Sequence, residues 1–339
     1  MSKVAVIGAG AWGTALAIQA ARAGSSVTLW ARNPARAAAL ATTRENPRLP
    51  GMRLADAIEV LALASPPPQP SPSRRDEGGI ADTWGTPDAI LLAIPMQHLR
   101  GMLARLPQSA TPLVVCAKGV EIRTHRLPLE LVAELHPTAD AVVLTGPNFA
   151  HEIAAGLPAA SVVAGTDAAV RGQVIELLGT QAFRLYGNDD PVGAQVGGAA
   201  KNVIAIAAGA VIGAGVGENA RAALITRGLA ELSRLAVALG GRAETVSGLS
   251  GLGDLLLTCT GPSSRNYSLG LALGRGEALA DILAARDTVT EGVTTAPALV
   301  ARAAGVDMPI SAAVAALVEG RVTLRKAMAT LLARPRRDE

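Results

Sequence analysis

The chain has 339 residues with a formal net charge of +3; half of its residues are hydrophobic and 17% are charged. This length predicts one large domain or two of ordinary size, with enough apolar residues for a sizeable core. Scattered basic residues argue against a nucleic-acid partner, and two cysteines, Cys116 and Cys259, indicate neither a disulfide framework nor a zinc site. The first apolar run opens a strand without a signal-peptide cleavage site, so we expect a soluble cytoplasmic protein.

An apolar strand near the start of the chain is followed by a glycine-rich turn and a helical pattern. The turn has the spacing Gly8-x-Gly10-x-x-Gly13, which predicts a dinucleotide site in this strand-turn-helix context. The first glycine makes the tight turn, the second lets the backbone approach the pyrophosphate, and the third lets helix and strand pack closely. The alternative, a glycine-rich turn without a ligand, is disfavoured by the same context.

The second predicted strand, residues 26–30, carries no acidic residue at its end. An NAD-specific site usually has Asp or Glu there to hold the ribose hydroxyls. This chain has Arg32 instead, with Arg36 one helical turn later, and these side chains fit the 2′-phosphate of NADP(H). A plain surface arginine is the alternative, because only four of the 31 basic residues are lysines. NADP(H) and NAD(H) therefore both remain open as cofactors.

Three later strand patterns end in residues suited to ligand binding. The segments 89–94, 113–117 and 141–145 are followed by Pro95, by Lys118 and by Gly146-Pro-Asn148. Ligands of doubly wound sheets bind beyond the carboxyl ends of the strands, so we expect these residues to lie at the same edge as the glycine-rich turn. The fold class predicted for the first half is therefore α/β, a Rossmann sheet.

The second half has the pattern of an all-helical domain. A loop at residues 186–191 is a plausible boundary, so we expect a Rossmann domain over residues 1–188 and a helical substrate domain over residues 189–339. Helical patterns cover residues 193–214, 219–239, 267–274, 296–304 and 311–319. A proline-rich segment at residues 65–79 interrupts the first domain, and we interpret it as an exposed insertion.

Lys201 and Asn202 lie in an otherwise apolar stretch, residues 196–217, that consists almost entirely of Ala, Val, Ile and Gly. The stretch is too rich in Gly and Ala for a membrane span and predicts a buried helix. A lysine that loses its hydration has a depressed pKa and can act as a general acid or base near neutral pH. The alternative is a lysine that reaches water from the end of a helix.

Two polar segments punctuate the helical half. Ser264, Arg265 and Asn266 precede a helix, so a hydroxyl, a guanidinium and free N–H groups are available for a phosphate. The alternative is an ordinary serine N-cap beside an exposed arginine. Asp254 either takes part in the chemistry or caps the helix that follows it. No His, Asp or Glu group has metal-ligand spacing, so we predict no metal.

These motifs together resemble those of the bacterial NAD(P)-dependent glycerol-3-phosphate dehydrogenases. The likeness covers nearly the whole chain except the proline-rich segment. The motifs that carry it are GAGAWGTA at residues 8–15, AKG at 117–119, TGPNFA at 145–150, GGAAKNVIA at 197–205, NARAALITRG at 219–228, GLGDLLLTCT at 251–260 and SRN at 264–266.

The resemblance implies reversible hydride transfer between NAD(P)H and C2 of dihydroxyacetone phosphate, giving sn-glycerol 3-phosphate for phospholipid synthesis. Lys201 matches the catalytic proton donor and acceptor. The substrate-contacting positions of the family match Lys118, Gly146, Asn148, Asp254, Ser264, Arg265 and Asn266, and we add Lys201 and Asn202 as substrate-binding residues. The cofactor-contacting positions match Ala11, Trp12, Arg32, Lys118, Ala150, Arg265, Val289 and Glu291, beside Gly8, Gly10, Gly13 and Pro95 of the strand ends.

The chain departs from the family pattern at three places. Asn148 stands where the family usually has Ser or Thr, Ala11 often is Ser, and the proline-rich segment replaces an ordinary strand and helix. Two other functions are carried as alternatives: a β-hydroxyacid or ketopantoate-type reductase, and a non-catalytic NADP(H) sensor. The phosphate motif speaks against the first. The expected partners are the small-molecule substrate and no nucleic acid, with a homodimer as one option.

Overall fold

The computed structural model describes residues 1–63, 86–286 and 290–335, and its contacts divide the chain into two compact units. The first unit comprises Met1–Ala117, Leu129–Leu144 and Asn148–Asp189. The second unit comprises Lys118–Pro128, Thr145–Pro147 and Asp190–Glu339. Two short segments that interrupt the first unit in chain order therefore belong to the second. The expected proline-rich insertion at residues 65–79 lies outside the described residues.

The sheet has eight strands in the order β3-β2-β1-β4-β5-β6-β7-β8. The strands are β1 Lys3–Ile7, β2 Ser26–Ala31, β3 Ile58–Ala62, β4 Ala89–Leu92, β5 Leu113–Val115, β6 Ala141–Thr145, β7 Ala159–Ala164 and β8 Phe183–Asn188. The first six follow the Rossmann order and pair in parallel, as do β7 and β8. The predicted α/β class with an N-terminal Rossmann sheet is confirmed.

The central strands β4 and β5 are short and wholly apolar. Every residue of β4 and β5 is buried, as expected for parallel strands covered by helices. Both strands end two residues earlier than their apolar patterns suggest. The strands β3, β7 and β8 were not among the predicted elements. Five of the six residues of β8 are not buried, because it is an edge strand.

The helices between the strands are α1 Ala11–Arg22, α2 Pro34–Thr43, α3 Met96–Leu103, α4 Pro128–Leu135, α5 Ala150–Ala155 and α6 Ala168–Leu178. Polar caps fix two of them. Asn33 accepts a hydrogen bond from Arg36 N at the start of α2, and Asp167 accepts from two backbone N–H groups at the start of α6. Each of these caps satisfies N–H groups that the first turn leaves without a helical partner.

The described part of the second unit is helical. Its helices are α7 Pro191–Gly213, α8 Glu218–Ala238, α9 Ala243–Ser247, α10 Asp254–Cys259, α11 Arg265–Gly274, α12 Leu279–Ala284, α13 Glu291–Arg302, α14 Pro309–Val318 and α15 Leu324–Leu332, with a π-helical turn at Leu249–Gly253. Asp190 caps α7 by accepting from Gly193 N at 2.8 Å, and its second oxygen accepts from Arg242 N. Proline at the first position of α7 reinforces this start.

The helix α7 is the core of the second unit, and its small residues allow close backbone packing against α11. A Cβ atom at Gly209 would lie 2.0 Å from Tyr267 O, and one at Gly270 would lie 2.0 Å from Ile206 O. By length and composition α7 could cross a membrane, but 83% of its most apolar window is buried inside the protein. The predicted buried helix is therefore confirmed, and its glycines serve helix contact.

Candidate active site

Lys201 lies in the middle of α7, and its side chain is held in the protein interior. The residue is 8% exposed, and its Nζ forms an ion pair with Asp254 Oδ1. Lys201 is ten residues from the first residue of α7 and does not reach solvent from a helix end. The buried position therefore rules out the snorkelling alternative and leaves a cation whose hydration is replaced by one carboxylate.

Asp254 is the first residue of α10 and is 1% exposed. The N-cap position belongs to Gly253, and no side chain caps this helix, so Asp254 does not have the capping role that the sequence left open. The π-helical turn before it is tightly packed, since a Cβ at Gly251 would lie 1.9 Å from Val246 O. This turn fixes the direction from which the carboxylate enters the site; π-helical turns are frequent at functional sites.

Lys118 supplies a second ammonium group to the same carboxylate. Its Nζ donates to Asp254 Oδ2 at 2.5 Å and to Gly146 O at 3.3 Å. Gly146 has a φ of +146°, a conformation that L side chains rarely adopt, and this orients its carbonyl. The chain segments around residues 118, 146, 201 and 254 thus converge within the second unit, with one carboxylate between two lysines.

Burial determines the protonation behaviour of this cluster. Desolvation and the positive charge of Lys118 lower the pKa of Lys201, the Asp254 carboxylate opposes them, and the net result is a pKa of about 8. Cys259 lies nearby, and burial raises the pKa of its thiol to about 12. The thiol therefore stays protonated at neutral pH, whereas the pKa of Lys201 lies close to neutral pH.

A chain of hydrogen bonds beside Lys201 joins three helices. Asn266 Nδ2 donates to Asn202 Oδ1 at 2.9 Å, and Asn266 Oδ1 accepts from Gly292 N at 2.9 Å. Both asparagines are buried. Within the described part of the chain, the amide nitrogen of Asn202 has no hydrogen-bond partner, so it remains available to a ligand of the site. The two asparagines fix the start of α11 relative to α7.

The start of α11 combines a serine cap with the guanidinium of Arg265. Ser264 Oγ accepts from Tyr267 N at 3.2 Å, so the serine N-cap alternative is observed. Arg265 is exposed, and its side chain has no partner among the described residues. Arg286 donates to the carbonyl of Arg265 at 2.8 Å, and burial together with the charge of Arg265 lowers the pKa of Arg286. Positive charge and free N–H groups therefore accumulate at this helix start.

Thr145 was not among the predicted site residues, yet its hydroxyl lies at the lysine cluster. An ideal Cβ at Gly198 would lie 3.1 Å from Thr145 Oγ1 and 3.5 Å from Lys118 Cγ. The hydroxyl is buried and has no hydrogen-bond partner within the described ranges. Only burial identifies it, since a threonine at the end of an apolar strand has no distinctive sequence signal.

In the first unit, the glycine-rich turn has the shape of a phosphate site. Gly8 has a φ of +112°, and a Cβ there would lie 2.4 Å from Ala93 O, while one at Gly13 would lie 1.8 Å from Gly8 O. A Cβ at Gly10, in contrast, would meet nothing within 4 Å. Gly8 and Gly13 are thus required by packing, and Gly10 leaves open space at the N-terminus of α1. No acidic residue occupies the first turn of α1, so the residues present fit a dinucleotide phosphate.

The other predicted residues of the first unit lie at the ends of its elements. Arg32 follows β2 and is exposed; Pro95 precedes α3, and Ala150 opens α5. The side chain of Asn148 is hydrogen-bonded to Ser161 on β7. Asn148 Nδ2 donates to Ser161 Oγ at 2.6 Å, and Ser161 Oγ donates to Asn148 Oδ1 at 2.8 Å.

The predicted site residues separate into two groups by unit. The first unit holds Gly8, Gly10, Ala11, Trp12, Gly13, Arg32, Pro95, Asn148 and Ala150. The second unit holds Lys118, Gly146, Lys201, Asn202, Asp254, Ser264, Arg265, Asn266 and Glu291. Val289 lies outside the described residues.

Two family models match the chain. The model described as the N-terminus of NAD-dependent glycerol-3-phosphate dehydrogenase matches residues 3–64 and 78–171, and the one described as its C-terminus matches residues 190–329. The first match omits residues 65–77, which lie within the proline-rich segment.

Individual proteins are similar over almost the whole length. A glycerol-3-phosphate dehydrogenase (NAD(P)+) of Acidiphilium cryptum (strain JF-5) is 57% identical over 99% of this chain and 98% of its own. One of Bradyrhizobium sp. (strain ORS 278) is 50% identical over the same shares. The crystal structure of glycerol-3-phosphate dehydrogenase from Coxiella burnetii superposes with a TM-score of 0.89 at 34% identity, covering 98% of this chain and 99% of that one.

Proposed function

Since this chain belongs to the family of NAD(P)-dependent glycerol-3-phosphate dehydrogenases, we propose that Lys201 exchanges the proton of its reaction. The chain is an oxidoreductase that acts on the CH–OH group of sn-glycerol 3-phosphate, with dihydroxyacetone phosphate as the oxidised partner. The nicotinamide, when bound, supplies the hydride to C2 or removes it. Lys201 donates a proton to the oxygen on C2 during reduction and accepts it back during oxidation.

The observation that carries this role is the buried amine of Lys201, whose pKa of about 8 lies close to neutral pH. A general acid is most effective when its pKa is near the working pH, because both protonation states are then accessible. An exposed lysine would stay protonated, with a pKa of about 10.4, and would be a poor base in the oxidation direction.

Asp254 and Lys118 keep the proton donor in place. Asp254 holds the Lys201 ammonium by ion pairing, and Lys118 pairs with the other oxygen of the same carboxylate. When Lys201 gives up its proton, the buried carboxylate still has the Lys118 cation as a partner. It is therefore never left as an isolated buried charge, which would cost several kcal/mol by order of magnitude.

We assign the substrate phosphate to the start of α11. The guanidinium of Arg265, which has no partner among the described residues, the adjacent Arg286 and the N–H groups of the helix start favour a dianion there. Asn202 and Asn266 link this helix start to Lys201, and the amide nitrogen of Asn202, which has no partner in the described ranges, supplies a donor for a substrate oxygen. The buried hydroxyl of Thr145 supplies a further polar group at Lys118.

In the first unit, Gly8, Gly10 and Gly13 would hold the dinucleotide phosphates, with Ala11 and Trp12 supplying the N–H groups of the first helical turn. We keep the roles expected from the sequence for four further residues. Cofactor contact is assigned to Pro95, Ala150 and Glu291, and substrate contact to Asn148. These assignments make the first unit the nucleotide-binding part and the second unit the part that carries the substrate chemistry.

The direction and place of the reaction are also part of the proposal. We expect reduction of dihydroxyacetone phosphate in the cytoplasm, supplying the glycerol backbone of phospholipids, with a homodimer as one option. A strain that lacks this gene should require glycerol 3-phosphate for growth. Unsupplemented growth with normal phospholipid synthesis would contradict this physiological role.

The decisive experiment follows NADPH and NADH consumption with dihydroxyacetone phosphate, with wild type and Lys201→Ala measured side by side. Rapid consumption by wild type and near-silence of the variant, with cofactor binding intact in both, support the reaction and the lysine role. Equal turnover by the two proteins overturns the role of Lys201. Turnover of ketopantoate but not of dihydroxyacetone phosphate would favour the reductase alternative, and cofactor binding without any turnover would favour the sensor.

A further inference from the structure

Thr145 is the last residue of β6, and its side chain carries a buried hydroxyl. The residue is 4% exposed, and its Oγ1 has no hydrogen-bond partner within the described ranges. Burial of a hydroxyl without a hydrogen bond is unfavourable, and the large majority of buried polar groups in folded proteins are paired. The hydroxyl is therefore available to donate a hydrogen bond to a ligand and to accept one from it.

The Thr145 hydroxyl faces α7 at a glycine. A Cβ at Gly198 would lie 3.1 Å from Thr145 Oγ1, and it would lie 3.5 Å from Lys118 Cγ and 3.6 Å from Lys118 Cδ. A side chain at position 198 would therefore crowd both the hydroxyl and the stem of the lysine. Gly198 precedes Lys201 by three residues, which places the two positions on the same side of the helix. The hydroxyl thus borders the side of α7 that carries the proposed proton donor.

The backbone after Thr145 is fixed against the lysine cluster. Gly146 O accepts from Lys118 Nζ at 3.3 Å, and the same ammonium donates to Asp254 Oδ2 at 2.5 Å. Among the described residues, Lys118 makes no hydrogen bond to the Thr145 hydroxyl. The hydroxyl therefore adjoins the ion pairs without being part of them, and a ligand can bind it while they stay intact.

The helix α7 sets the order of the polar groups beside it. Thr145 lies at Gly198, the amine comes from Lys201, and Asn202 Oδ1 accepts from Asn266 at the start of α11. The step from residue 198 to residue 202 is about 6 Å along the helix axis. Dihydroxyacetone phosphate has a matching order, with a hydroxyl on C1, the carbonyl on C2 and the phosphate on C3. With the phosphate at α11 and the C2 oxygen at the amine, C1 is directed towards the threonine.

We propose that the hydroxyl of Thr145 binds the C1 hydroxyl of the substrate and makes the enzyme select substrates that carry it. The inference rests on the proposed function, in which Lys201 acts at the C2 oxygen and the start of α11 holds the phosphate. Two hydroxyl groups suit each other because each can donate and accept. A site that hydrogen-bonds a substrate hydroxyl rejects the analogue without it, because the polar group of the site is then left unpaired.

The test compares two substrates that differ only in the C1 hydroxyl, dihydroxyacetone phosphate and hydroxyacetone phosphate. The value of kcat/KM is measured for both at saturating NADPH. The variants Thr145→Val and Thr145→Ala remove the hydroxyl, and Thr145→Ser retains it. The control is Thr295→Val on α13, because Thr295 is 1% exposed and its hydroxyl has no partner in the described part of the chain. The control makes the same chemical change at another buried position.

We expect wild type to prefer dihydroxyacetone phosphate. Thr145→Val should lower kcat/KM for this substrate about tenfold, the usual loss for one neutral hydrogen bond, and change that for hydroxyacetone phosphate less than about twofold. Thr145→Ala should lose the same preference, while Thr145→Ser and Thr295→Val should keep it. The midpoint of the pH profile should stay at the wild-type value in Thr145→Val, because a threonine hydroxyl does not titrate in this range.

An equal loss of kcat/KM for both substrates in Thr145→Val, or a displaced pH profile, would show that the residue acts through the lysine cluster and would overturn the inference. An unchanged preference in this variant overturns it as well, as does equal use of the two substrates by wild type. These results leave the proposed function intact. Failure of wild type to reduce dihydroxyacetone phosphate would instead overturn the proposed function, and the inference with it.

Thr145→Val keeps the shape of the side chain and removes a hydroxyl that has no partner in the described ranges, so we expect it to fold as wild type does. Thermal unfolding of each variant checks this. If Thr145→Val unfolds, Thr145→Ala and Thr145→Ser still decide the question, because they differ only in the hydroxyl. Equal substrate preference in those two variants would overturn the inference.

Discussion

The ammonium of Lys201 and the carboxylate of Asp254 form a buried ion pair between residues that are 53 positions apart in the chain. The carboxylate is 1% exposed and also pairs with Lys118. A single carboxylate therefore pairs with two ammonium groups in a site that is largely shielded from solvent. Because the balance of charge is uneven, the protonation of Lys201 responds strongly to any change in its partners.

Replacement of Lys201 by Ala should lower kcat for dihydroxyacetone phosphate reduction by about 10²–10⁴-fold, the usual loss when a general acid is removed. Binding of NADPH should persist, because the glycine-rich turn belongs to the first unit. Steady-state kinetics and calorimetry measure the two effects. Lys326→Ala, which removes an exposed lysine from the same unit, is the matched control and should keep wild-type turnover. Near-normal kcat in Lys201→Ala would contradict the assignment.

The two directions of the reaction should depend on pH in opposite ways around the Lys201 pKa of about 8. Reduction uses the ammonium, so its kcat/KM should be level below that pH and fall as pH rises above it. Oxidation uses the neutral amine, so its kcat/KM should rise with pH and level off above the same value. Initial rates measured in both directions from about pH 6 to about pH 10, in steps of about one pH unit, test this. Parallel profiles in the two directions would refute the role of Lys201.

Asp254→Asn should move the reduction profile to lower pH. The Asp254 carboxylate raises the pKa of Lys201 against the effects of burial and Lys118, so its removal lets that pKa fall further. The variant should also lose stability, because the ammonium groups of Lys118 and Lys201 then lie close together without a counter-charge. The pH profile is the informative readout, since general damage to the fold would lower the rate at every pH alike. A profile displaced to higher pH would be incompatible with the charge arrangement.

Gly270→Ala should destabilise the second unit by about 1–3 kcal/mol or more, the usual range for overpacking. Its new Cβ would lie 2.0 Å from Ile206 O, so α7 and α11 would have to move apart. Gly172→Ala is the control, since Gly172 lies inside α6 with nothing within 4 Å of its Cβ position. The control should be neutral or slightly stabilising, by about 0.5–1 kcal/mol, because alanine favours the helix. Thermal unfolding followed by circular dichroism distinguishes the two, and equal melting temperatures would disprove the tight helix contact.

Much of the first unit could be predicted because its signals are local. The spacing of Gly8, Gly10 and Gly13 and the buried runs of the central strands follow from rules that span a few residues. The edge strand β8 escaped prediction because its residues are mostly not buried and carry no apolar run. The burial of Lys201 in a helix was likewise predicted from its apolar neighbours, and the structure confirms that burial.

The partners of the site residues could not be predicted, because they depend on contacts between distant segments. Nothing near Asp254 in the sequence indicates that it meets Lys118, and nothing near Arg36 indicates that its guanidinium is hydrogen-bonded to Asn46. Ser264 shows the opposite case: the local interpretation, an N-cap, describes its hydroxyl in the structure. The roles of these residues in binding and catalysis remain predictions.

The segment Lys118–Pro128 belongs to the second unit, and Val120 and Leu127 are part of that unit's hydrophobic core. A gene fragment that begins at Asp190 would therefore encode a protein with a gap in its core and without Lys118. A chimera of two homologues joined at Asp190 would combine Lys118 of one parent with Asp254 of the other. Recombination that keeps the second unit intact has to exchange its three separate stretches of the gene together.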